Sequence, residues 1–334
     1  MTKAFVFGKF LPFHKGHEAM IKFALQHCGF LSVLICSGNR ESVDGETRKY
    51  WITETLSADQ LLYQRVEVKV FDYDEDDLPN SSVSSRSVSE SWSMIFKQLF
   101  PDHDLLVTSE PYGSFVAEYM NIMHLDFDIP RKLVPVSASA VRSDLQANWQ
   151  FLPSIVKRHY AIRVVVLGTE STGKTTLCSN LASHFKCSLV TEAGRDLIAD
   201  SRQFEFGQLM QVAEEHARRI MEVTLTQSPL VIIDTDIHIT KSYARFVFGR
   251  ELTVDADVYE ANLAQLYLYL DKEVAYIQDG TRLPEPARNM LDRSHRQELA
   301  QHGITFSEVS GTWEQRFQQS VDLINLLLAS VRLQ

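Results

Sequence analysis

The sequence lacks the features that mark membrane, secreted and disulfide-built proteins. No apolar run approaches the ~18 residues that a membrane-spanning helix needs. The opening MTKAFVFGKFLPF is too short and too interrupted, by Lys9 and Pro12, for a signal peptide. The 334 residues include four cysteines, none in a CxxC pair or beside histidines at metal-binding spacing. We therefore expect reduced thiols in a cytoplasmic protein with no membrane partner.

Glycine and proline are scarce, and net positive charge is absent. The 14 glycines and 10 prolines exclude a collagen-like or low-complexity chain. The formal net charge of -10 argues against general binding of nucleic acid, which needs a basic face. The composition, 45% hydrophobic and 23% charged, is globular, and the length suits about two domains. The sequence does not indicate an oligomeric state, and a homo-oligomer is compatible with it.

Two stretches of the chain share one order of elements: an apolar run, a glycine-containing loop and an amphipathic helix. The apolar runs are residues 3–7 and 162–167. Runs of this kind fit buried parallel strands, and their alternation with helical segments predicts an α/β fold of two doubly wound parallel-sheet domains. We expect a packed connector near residues 151–163 and domains at 1–158 and 159–334.

Further elements follow from hydrophobic periodicity. The predicted strands are residues 31–36, 66–71, 105–108 and 132–136 in the first domain, and 188–191, 230–234, 274–278 and 305–308 in the second. The predicted helices are residues 17–28, 48–57, 89–100, 113–122, 174–185, 206–226, 258–268, 287–302 and 312–328. The serine-rich patch at 81–93 is typical of a mobile loop.

The first glycine-containing loop, residues 8–17, has two histidines three residues apart where a helix begins. Unpaired backbone N–H groups and the helix dipole favour an anion there, and His14 and His17 add hydrogen-bond donors. Gly8 lets the backbone approach a ligand closely. A lone histidine is more often a satisfied surface or core residue, and a histidine pair can bind zinc, but no third ligand follows at metal spacing. The pattern favours a triphosphate whose α-phosphorus is attacked.

A second element, VSASAVR at residues 136–142, completes this pattern. Ser137 can cap a helix whose first turns carry Arg142, a permanently charged phosphate ligand. Together the two elements resemble the nucleotidyltransferase superfamily, with Val136 and Ser139 where that family has isoleucine and threonine. The resemblance implies a Rossmann-like domain and adenylyl transfer without a covalent intermediate. His14, His17 and Arg142 would stabilise the transferring phosphates, and the implied nucleotide-binding residues are Gly8, Lys9, Phe10 and Ser137.

The second glycine-containing loop matches G-x-x-x-x-G-K-[ST] in full and lies between a β-branched strand and a helix. Its N–H groups form an anion-binding nest, Lys174 bridges the β- and γ-phosphates, and Thr175 binds Mg²⁺. We therefore predict ATP as a substrate and Mg²⁺ as its metal. The predicted ATP-binding residues are Gly168, Thr169, Glu170, Ser171, Thr172, Gly173, Lys174, Thr175 and Thr176.

Charged residues at neighbouring strand ends predict the rest of this second site. Asp234 ends the apolar run VIID and can hold Mg²⁺ or its waters. Glu192 and Arg195 follow another strand and suit a base and a phosphate clamp for an acceptor hydroxyl. Asp236 and Arg282 are further candidate acceptor ligands. Whether Glu192 or Asp234 is the base stays open.

Residues 279–282 open an arginine-bearing stretch. Its further arginines are Arg288, Arg293 and Arg296. They fit a lid over the γ-phosphate, and they fit equally well a solvated helix face.

The order of the motifs resembles the NadR-type bifunctional proteins from Lys3 to about Phe317. The motifs are, in order, GKFLPFHKGH, SEPYG, VSASAVR, GTESTGKTTL, EAGRD, IIDTD and DGTR. The resemblance implies a nicotinamide-mononucleotide adenylyltransferase at 1–158 and a P-loop ribosylnicotinamide kinase at 159–334. Ribosylnicotinamide would be phosphorylated to nicotinamide mononucleotide, and the mononucleotide adenylylated to NAD.

The same resemblance implies acceptor residues in the first domain. Glu110, Tyr112 and Gly113 would border the nucleotide, and Arg48 and Trp51 would lie near the mononucleotide. An indole can stack on a pyridinium ring, although packing in a helix core is the alternative for Trp51. The histidine loop begins at residue 8, so no helix-turn-helix module fits before it, and we expect no DNA binding.

Two other functions keep the same motifs. The phosphate-binding residues recognise ATP and not the acceptor, so another nucleoside or vitamin precursor is an alternative substrate. A nucleotide-sensing regulator that binds without turnover is the other alternative, although intact Lys174 and His17 argue against it. The sequence does not rank the two activities.

Overall fold

The computed structural model of the chain divides into two compact units, Met1–His159 and Tyr160–Val331. Each unit has a five-stranded sheet within its described residues, and every strand pairing is parallel. The predicted fold class, two α/β units with parallel sheets, is confirmed. The structure describes residues 1–78, 85–198, 203–225, 227–272 and 285–330.

The first unit is built on a continuous apolar strand at the centre of its sheet. The strands are β1 (Lys3–Gly8), β2 (Phe30–Gly38), β3 (Val66–Tyr73), β4 (Leu105–Thr108) and β5 (Met123–Asp126). Their order is β3-β2-β1-β4-β5, so β1 has neighbours on both sides. Strand order reverses at β1, and ligands of open α/β sheets bind at such a switch point. The histidine loop leaves from the carboxyl end of β1.

Helices and an aromatic core cover this sheet. Phe5 of β1 stacks on Phe100 with ring centroids 4.7 Å apart, and Phe96 meets Phe5 edge-on at 5.6 Å. The connector toward the second unit is helical, and Trp149 there is buried. The helices are α1 (Lys15–His27), α2 (Gly45–Ser57), α3 (Gln60–Tyr63), α4 (Arg86–Leu99), α5 (Gly113–Met120), α6 (Ala138–Ser143), α7 (Leu145–Asn148) and α8 (Ser154–His159), with a 3-10 turn at Trp149–Phe151.

The second unit has a different strand order. Its strands are β6 (Ile162–Leu167), β7 (Ser188–Val190), β8 (Leu230–Asp234), β9 (Leu266–Leu270) and β10 (Ser307–Val309). The order β10-β9-β6-β8-β7 again places the apolar first strand of the unit in the middle. The P-loop leaves from the carboxyl end of β6, beside the end of β8.

The helices of the second unit shield this sheet. Leu177 and Leu181 pack with Ile324 against the strands, and all three side chains are buried. The helices are α9 (Lys174–Phe185), α10 (Gly194–Leu197), α11 (Phe206–Glu222), α12 (Ile237–Phe248), α13 (Ala256–Ala261), α14 (Glu285–Gln301) and α15 (Trp313–Ser330). Among the helices of the described residues, none is long and apolar enough to cross a bilayer.

The predicted strand at 132–136 is wrong, and the fifth strand is β5 instead. The carboxylate of Asp128 accepts the backbone N–H groups of Lys132, Leu133 and Val134, at 2.8, 2.9 and 3.3 Å. These donors are therefore used in a turn and not in a sheet. The serine-rich patch was also misjudged in part, because α4 begins at Arg86, whereas residues 81–84 lie outside the described residues.

The predicted helix at 258–268 is wrong over its second half. Helix α13 ends at Ala261, and LYLYL at 266–270 forms β9, in register with Val164–Leu167 of β6. An apolar run of five residues fits either a helix or a buried strand, and pairing with β6 decides it. The predicted strand at 274–278 lies outside the described residues. Helix α12 has no counterpart in the prediction.

Candidate active sites

The histidine loop ends in a reciprocal cap at the start of α1. His14 is the N-cap residue, and its Nδ1 accepts the backbone N–H of Gly16 at 3.1 Å and of His17 at 3.3 Å. Nδ1 of His17 accepts the N–H of His14 at 3.4 Å. A neutral imidazole donates from one nitrogen and accepts at the other. Each ring therefore carries its proton on Nε2.

Both rings are neutral at physiological pH. Burial, and secondarily the positive charge of Arg131, lowers the pKa of His14 to about 3. Burial also lowers the pKa of His17 well below its ordinary value. The rings stack with centroids 3.6 Å apart, which two imidazolium cations would resist. The site therefore offers uncharged Nε2–H donors, held in place by the cap.

A cavity of about 660 Å³ opens at the carboxyl edge of β1 and β4. The predicted residues that line it are Gly8, Lys9, Phe10, His14, His17, Glu110, Tyr112, Ser137 and Arg142. The structure thus brings both sequence elements to one site.

The VSASAVR element is fastened to the histidine loop. Ser137 caps α6 by accepting the N–H of Ala140 at 3.1 Å. Arg142, one turn later, donates to the carbonyl of Leu11 and, at 3.4 Å, to the hydroxyl of Ser139. Its guanidinium is therefore held against the histidine loop, and Arg142 lines the same cavity as the two histidines.

Two predicted acceptor residues lie in the core of the first unit. Arg48 is fully buried, donates to the carbonyl of Lys9 at 2.7 Å and pairs with Glu41 at 2.7 Å. Trp51 is 1% exposed and meets the ring of His159 edge-on. Neither is among the described residues lining the cavity, which favours the core-packing alternative for Trp51.

Gly113 has a packing role. A Cβ added to it would lie 2.0 Å from Oγ1 of Thr108 and 2.6 Å from Nε2 of His124. The absent side chain lets α5 approach β4 closely. Gly113 lies outside the described lining of the cavity, although its neighbour Tyr112 lines it.

A smaller aromatic pocket of about 80 Å³ adjoins the main cavity. It shares Lys9 and Tyr112 with that cavity, and Tyr73 and Trp92 form part of its wall. These two rings meet edge-on, with centroids 5.1 Å apart. The pocket can receive a flat ring attached to a group bound in the main cavity.

The P-loop has the backbone of a phosphate cradle. Gly168 and Gly173 have φ values of 142° and 88°, which only glycine adopts readily. Lys174 is buried and donates to the carbonyl of Thr169 at 3.1 Å. Thr176 is exposed in the first turn of α9. The loop therefore presents N–H groups and one ammonium to an anion.

Thr175 and Asp234 meet where the P-loop faces the end of β8. The hydroxyl of Thr175 donates to Oδ2 of Asp234 at 2.6 Å, and burial raises the pKa of Asp234. Oδ1 of Asp234 is buried with no hydrogen-bond partner. An orphaned carboxylate oxygen beside a hydroxyl suits Mg²⁺, which takes a few protein oxygens together with phosphate and water. The described residues contain no group of three His, Cys, Asp or Glu that would hold a metal by itself.

A cavity of about 320 Å³ lies beside this pair, bounded by the P-loop and the ends of β7 and β8. Glu192 and Arg195 both line it and pair at 3.0 Å. Asp236 also lines it, but its carboxylate caps α12 and binds Nδ1 of His238 at 2.6 Å. Asp236 therefore orders this wall, whereas Glu192 and Arg195 are placed to contact an acceptor.

Comparison with known proteins finds relatives that span both units of the chain. The family model described as AAA domain matches residues 163–316. The trifunctional NAD biosynthesis/regulator protein NadR of Escherichia coli (strain K12) is 24% identical over 359 residues, which cover 99% of this chain and 84% of the relative. The protein of the same name from Salmonella typhimurium (strain LT2) is 21% identical, with 97% and 82% covered. The chain is thus similar to NadR proteins over almost its whole length.

Solved NadR structures share its fold. A crystal structure of NadR protein in complex with NR covers 100% of this chain and 98% of its own, with TM-score 0.70 and 18% identity. A NadR structure in complex with NAD and AMP-PNP covers 99% and 97%, with TM-score 0.71 and 17% identity. The fold of each unit is therefore one that solved NadR structures share.

The described arginines of the predicted lid stretch lie in different surroundings. Arg288 is 2% exposed and donates to Oγ1 of Thr169 in the P-loop at 3.3 Å. Arg296 pairs with Asp292 at 3.2 Å, away from the loop, and Arg293 is bonded to its own helix. Arg282 lies outside the described residues.

Sequence reasoning missed several residues that line the cavities of the first unit. Arg131 lines the cavity of about 660 Å³ and pairs with Glu110 at 2.7 Å. Tyr73 and Trp92 line the aromatic pocket. None belongs to a local motif, and each reaches its site through the tertiary fold. The only sequence signal was the pair of large aromatic residues, which also suits a core.

Proposed function

We propose that this chain is a bifunctional enzyme of NAD salvage. The second unit transfers the γ-phosphoryl group of ATP to ribosylnicotinamide and gives nicotinamide mononucleotide. The first unit transfers the adenylyl group of a second ATP to the mononucleotide and gives NAD and pyrophosphate. The observation that supports this most strongly is one complete phosphate site at the switch point of each sheet, in the motif order of NadR-type proteins.

In the first unit the chemistry rests on positioning. A phosphate oxygen of the mononucleotide attacks the α-phosphorus in line, and pyrophosphate leaves from the opposite side. His14 and His17 donate their Nε2 protons to phosphate oxygens, while Arg142 and Arg131 supply positive charge to the same cavity. Donors that are fixed before the reaction need no reorganisation as charge develops.

The aromatic pocket is the proposed place for the pyridinium ring of the mononucleotide. Tyr73 and Trp92 line this pocket, and aromatic rings attract a flat cation. Lys9 and Tyr112 lie where this pocket joins the phosphate cavity. The ring and the attacking phosphate would then occupy adjoining spaces.

In the second unit, Lys174 and the N–H groups of the P-loop hold the phosphates. Thr175 and Asp234 would hold Mg²⁺, which when bound neutralises charge on the β- and γ-phosphates. Asp234 is then engaged with Thr175 and the metal. Glu192 lines the acceptor cavity, so we assign it as the base that accepts the proton of the ribose hydroxyl, with Arg195 holding its carboxylate. All reactants are small molecules, so the proposal needs no nucleic-acid or membrane partner and suits the cytoplasm.

Product analysis tests the proposal. The purified protein is incubated with Mg-ATP and ribosylnicotinamide, and separately with Mg-ATP and nicotinamide mononucleotide, and the products are separated by chromatography. We expect mononucleotide, followed by NAD, from the first mixture and NAD from the second. ATP binding without either product would mean that another acceptor, or nucleotide sensing, is the function.

A further inference from the structure

The first residue of α15, Trp313, lies against the P-loop of the second unit. A Cβ added to Gly173 would lie 2.1 Å from Cη2 and 2.4 Å from Cζ3 of the indole. Gly173 precedes Lys174 at the start of α9, so the ring lies beside the phosphate cradle. Trp313 is nevertheless 50% exposed, which is unusual for the largest apolar side chain.

The position of the indole is fixed by buried polar contacts. Arg316, one turn along α15, is fully buried and donates to the carbonyls of Gly311 at 2.9 Å and Thr172 at 3.2 Å. The N–H of Gln315 donates to Oγ1 of Thr312 at 3.3 Å, which caps the helix. The start of α15 is therefore tied directly to the P-loop.

Trp313 and the acceptor cavity lie on opposite sides of β6. The cavity is lined by residues that follow β7 and β8, such as Glu192 and Asp236. Trp313 follows β10, on the far side of β9 in the strand order. The γ-phosphate of a bound triphosphate must face the acceptor. The nucleoside end therefore leaves the cradle on the other side, where Thr176 and Trp313 are exposed.

We propose that the indole of Trp313 is the face on which the purine base of ATP stacks in the second unit. Aromatic side chains stack on bases through their π-faces, and a ring that is already fixed loses little freedom on binding. This inference rests on the proposed ATP site of the kinase unit. The indole would contact the base of ATP, whereas the P-loop contacts only its phosphates.

Substitution separates base recognition from phosphate binding. In Trp313→Ala we expect the KM for ATP in ribosylnicotinamide phosphorylation to rise about tenfold, with the KM for ribosylnicotinamide unchanged. Trp313→Phe should recover most of the loss, since it keeps an aromatic face. Inhibition by inorganic tripolyphosphate, which has no base, should be equal in all variants and shows that the cradle is intact. Leu326→Ala, which removes another exposed apolar side chain of α15, is the matched control.

Fluorescence gives a second measurement that needs no acceptor. ATP should quench the emission of Trp313, measured as the difference between wild type and Trp313→Phe, and tripolyphosphate should not. Two results would refute the stacking role and leave the proposed function standing. One is a KM for ATP that is the same in Trp313→Ala and wild type. The other is a loss of tripolyphosphate inhibition in Trp313→Ala as large as the rise in the KM for ATP. If wild type showed the quenching but phosphorylated no ribosylnicotinamide, the proposed function would fail and the stacking role would stand.

Discussion

The Nδ1 atoms of His14 and His17 each accept the backbone N–H of the other residue, at 3.3 and 3.4 Å. This exchange caps α1 and fixes both protons on Nε2, toward the side chain's outer end. One pair of residues thus has two separable roles, in helix stability and in phosphate binding. Substitution of His14 and the pH dependence of stability separate these roles.

Replacing His14 distinguishes its role as the N-cap of α1 from its role as a hydrogen-bond donor to phosphate. His14→Ala removes the N-cap acceptor and should cost about 1 kcal/mol of stability. His14→Asn keeps a capping oxygen and should be close to wild type in stability. Both should lower the rate of NAD formation from the mononucleotide by about 10²–10³-fold, because the Nε2–H donor is gone. Normal NAD formation by His14→Asn would leave His14 with only its capping role.

The buried neutral histidine predicts a pH dependence of stability. The pKa of His14 is about 3 in the folded protein, against an ordinary value of 6.5 for an exposed histidine, so below pH 6.5 the unfolded chain binds the extra proton. Stability should therefore fall as the pH drops below 6.5, by about 1.4 kcal/mol per pH unit from this group. Between pH 6.5 and 5, the free energy of unfolding of His14→Asn should fall by about 2 kcal/mol less than that of the parent protein, which carries His14.

The measurement is urea unfolding followed by tryptophan fluorescence. A Trp313→Phe background leaves Trp51, Trp92 and Trp149, all in the first unit, as reporters. Equal acid sensitivity of the parent and His14→Asn would contradict the assigned neutral ring.

Asp234 should set the metal requirement of one activity only. Its orphaned Oδ1 and the adjacent Thr175 are the proposed Mg²⁺ ligands. In Asp234→Asn, the Mg²⁺ concentration giving half-maximal kinase rate should rise about tenfold or more, since a charged ligand is lost. The Mg²⁺ dependence of NAD formation from the mononucleotide should stay the same and serves as the control. An unchanged kinase titration would exclude Asp234 as a ligand.

Two buried tryptophans should differ in their effect on mononucleotide binding. Trp92→Ala removes a wall of the aromatic pocket and should raise the KM for the mononucleotide about tenfold, with a smaller change for ATP. Trp51→Ala should instead cost about 3–5 kcal/mol of stability, because it empties a buried core site. Steady-state kinetics and urea unfolding of both variants distinguish the two outcomes. A specific KM effect in folded Trp51→Phe would restore Trp51 to the acceptor site.

The sequence predicted the elements whose signal is local. Strands β4, β6 and β8 and helix α9 begin and end where the apolar runs and the P-loop predicted. The histidine loop and P-loop were found because each carries its ligands within about ten residues. By contrast, the strand at Leu266–Leu270 could be assigned only once its pairing with β6 was known. Residues 132–136 could be assigned to a turn only once the hydrogen bonds of Asp128 were known.

Binding residues contributed by distant segments were harder to predict. Arg131, Tyr73 and Trp92 lie on segments with no phosphate or ring motif, and the fold brings them to the sites. Arg48 and Trp51 differ from these residues, because both were predicted to contact the acceptor and both side chains are buried in the first unit. Their acceptor role stays a prediction. Residue type indicates what a side chain can bind, but the fold decides whether that side chain lines a cavity.

The most direct test of two sites working in sequence follows NAD formed from ribosylnicotinamide and Mg-ATP. Four samples are compared: wild type, Lys174→Ala, His17→Ala, and an equal mixture of the two variants. We predict NAD from wild type and from the mixture, none from either variant alone, and accumulation of mononucleotide with His17→Ala. NAD from Lys174→Ala alone, or no nicotinamide product from wild type, would contradict the proposed division of labour.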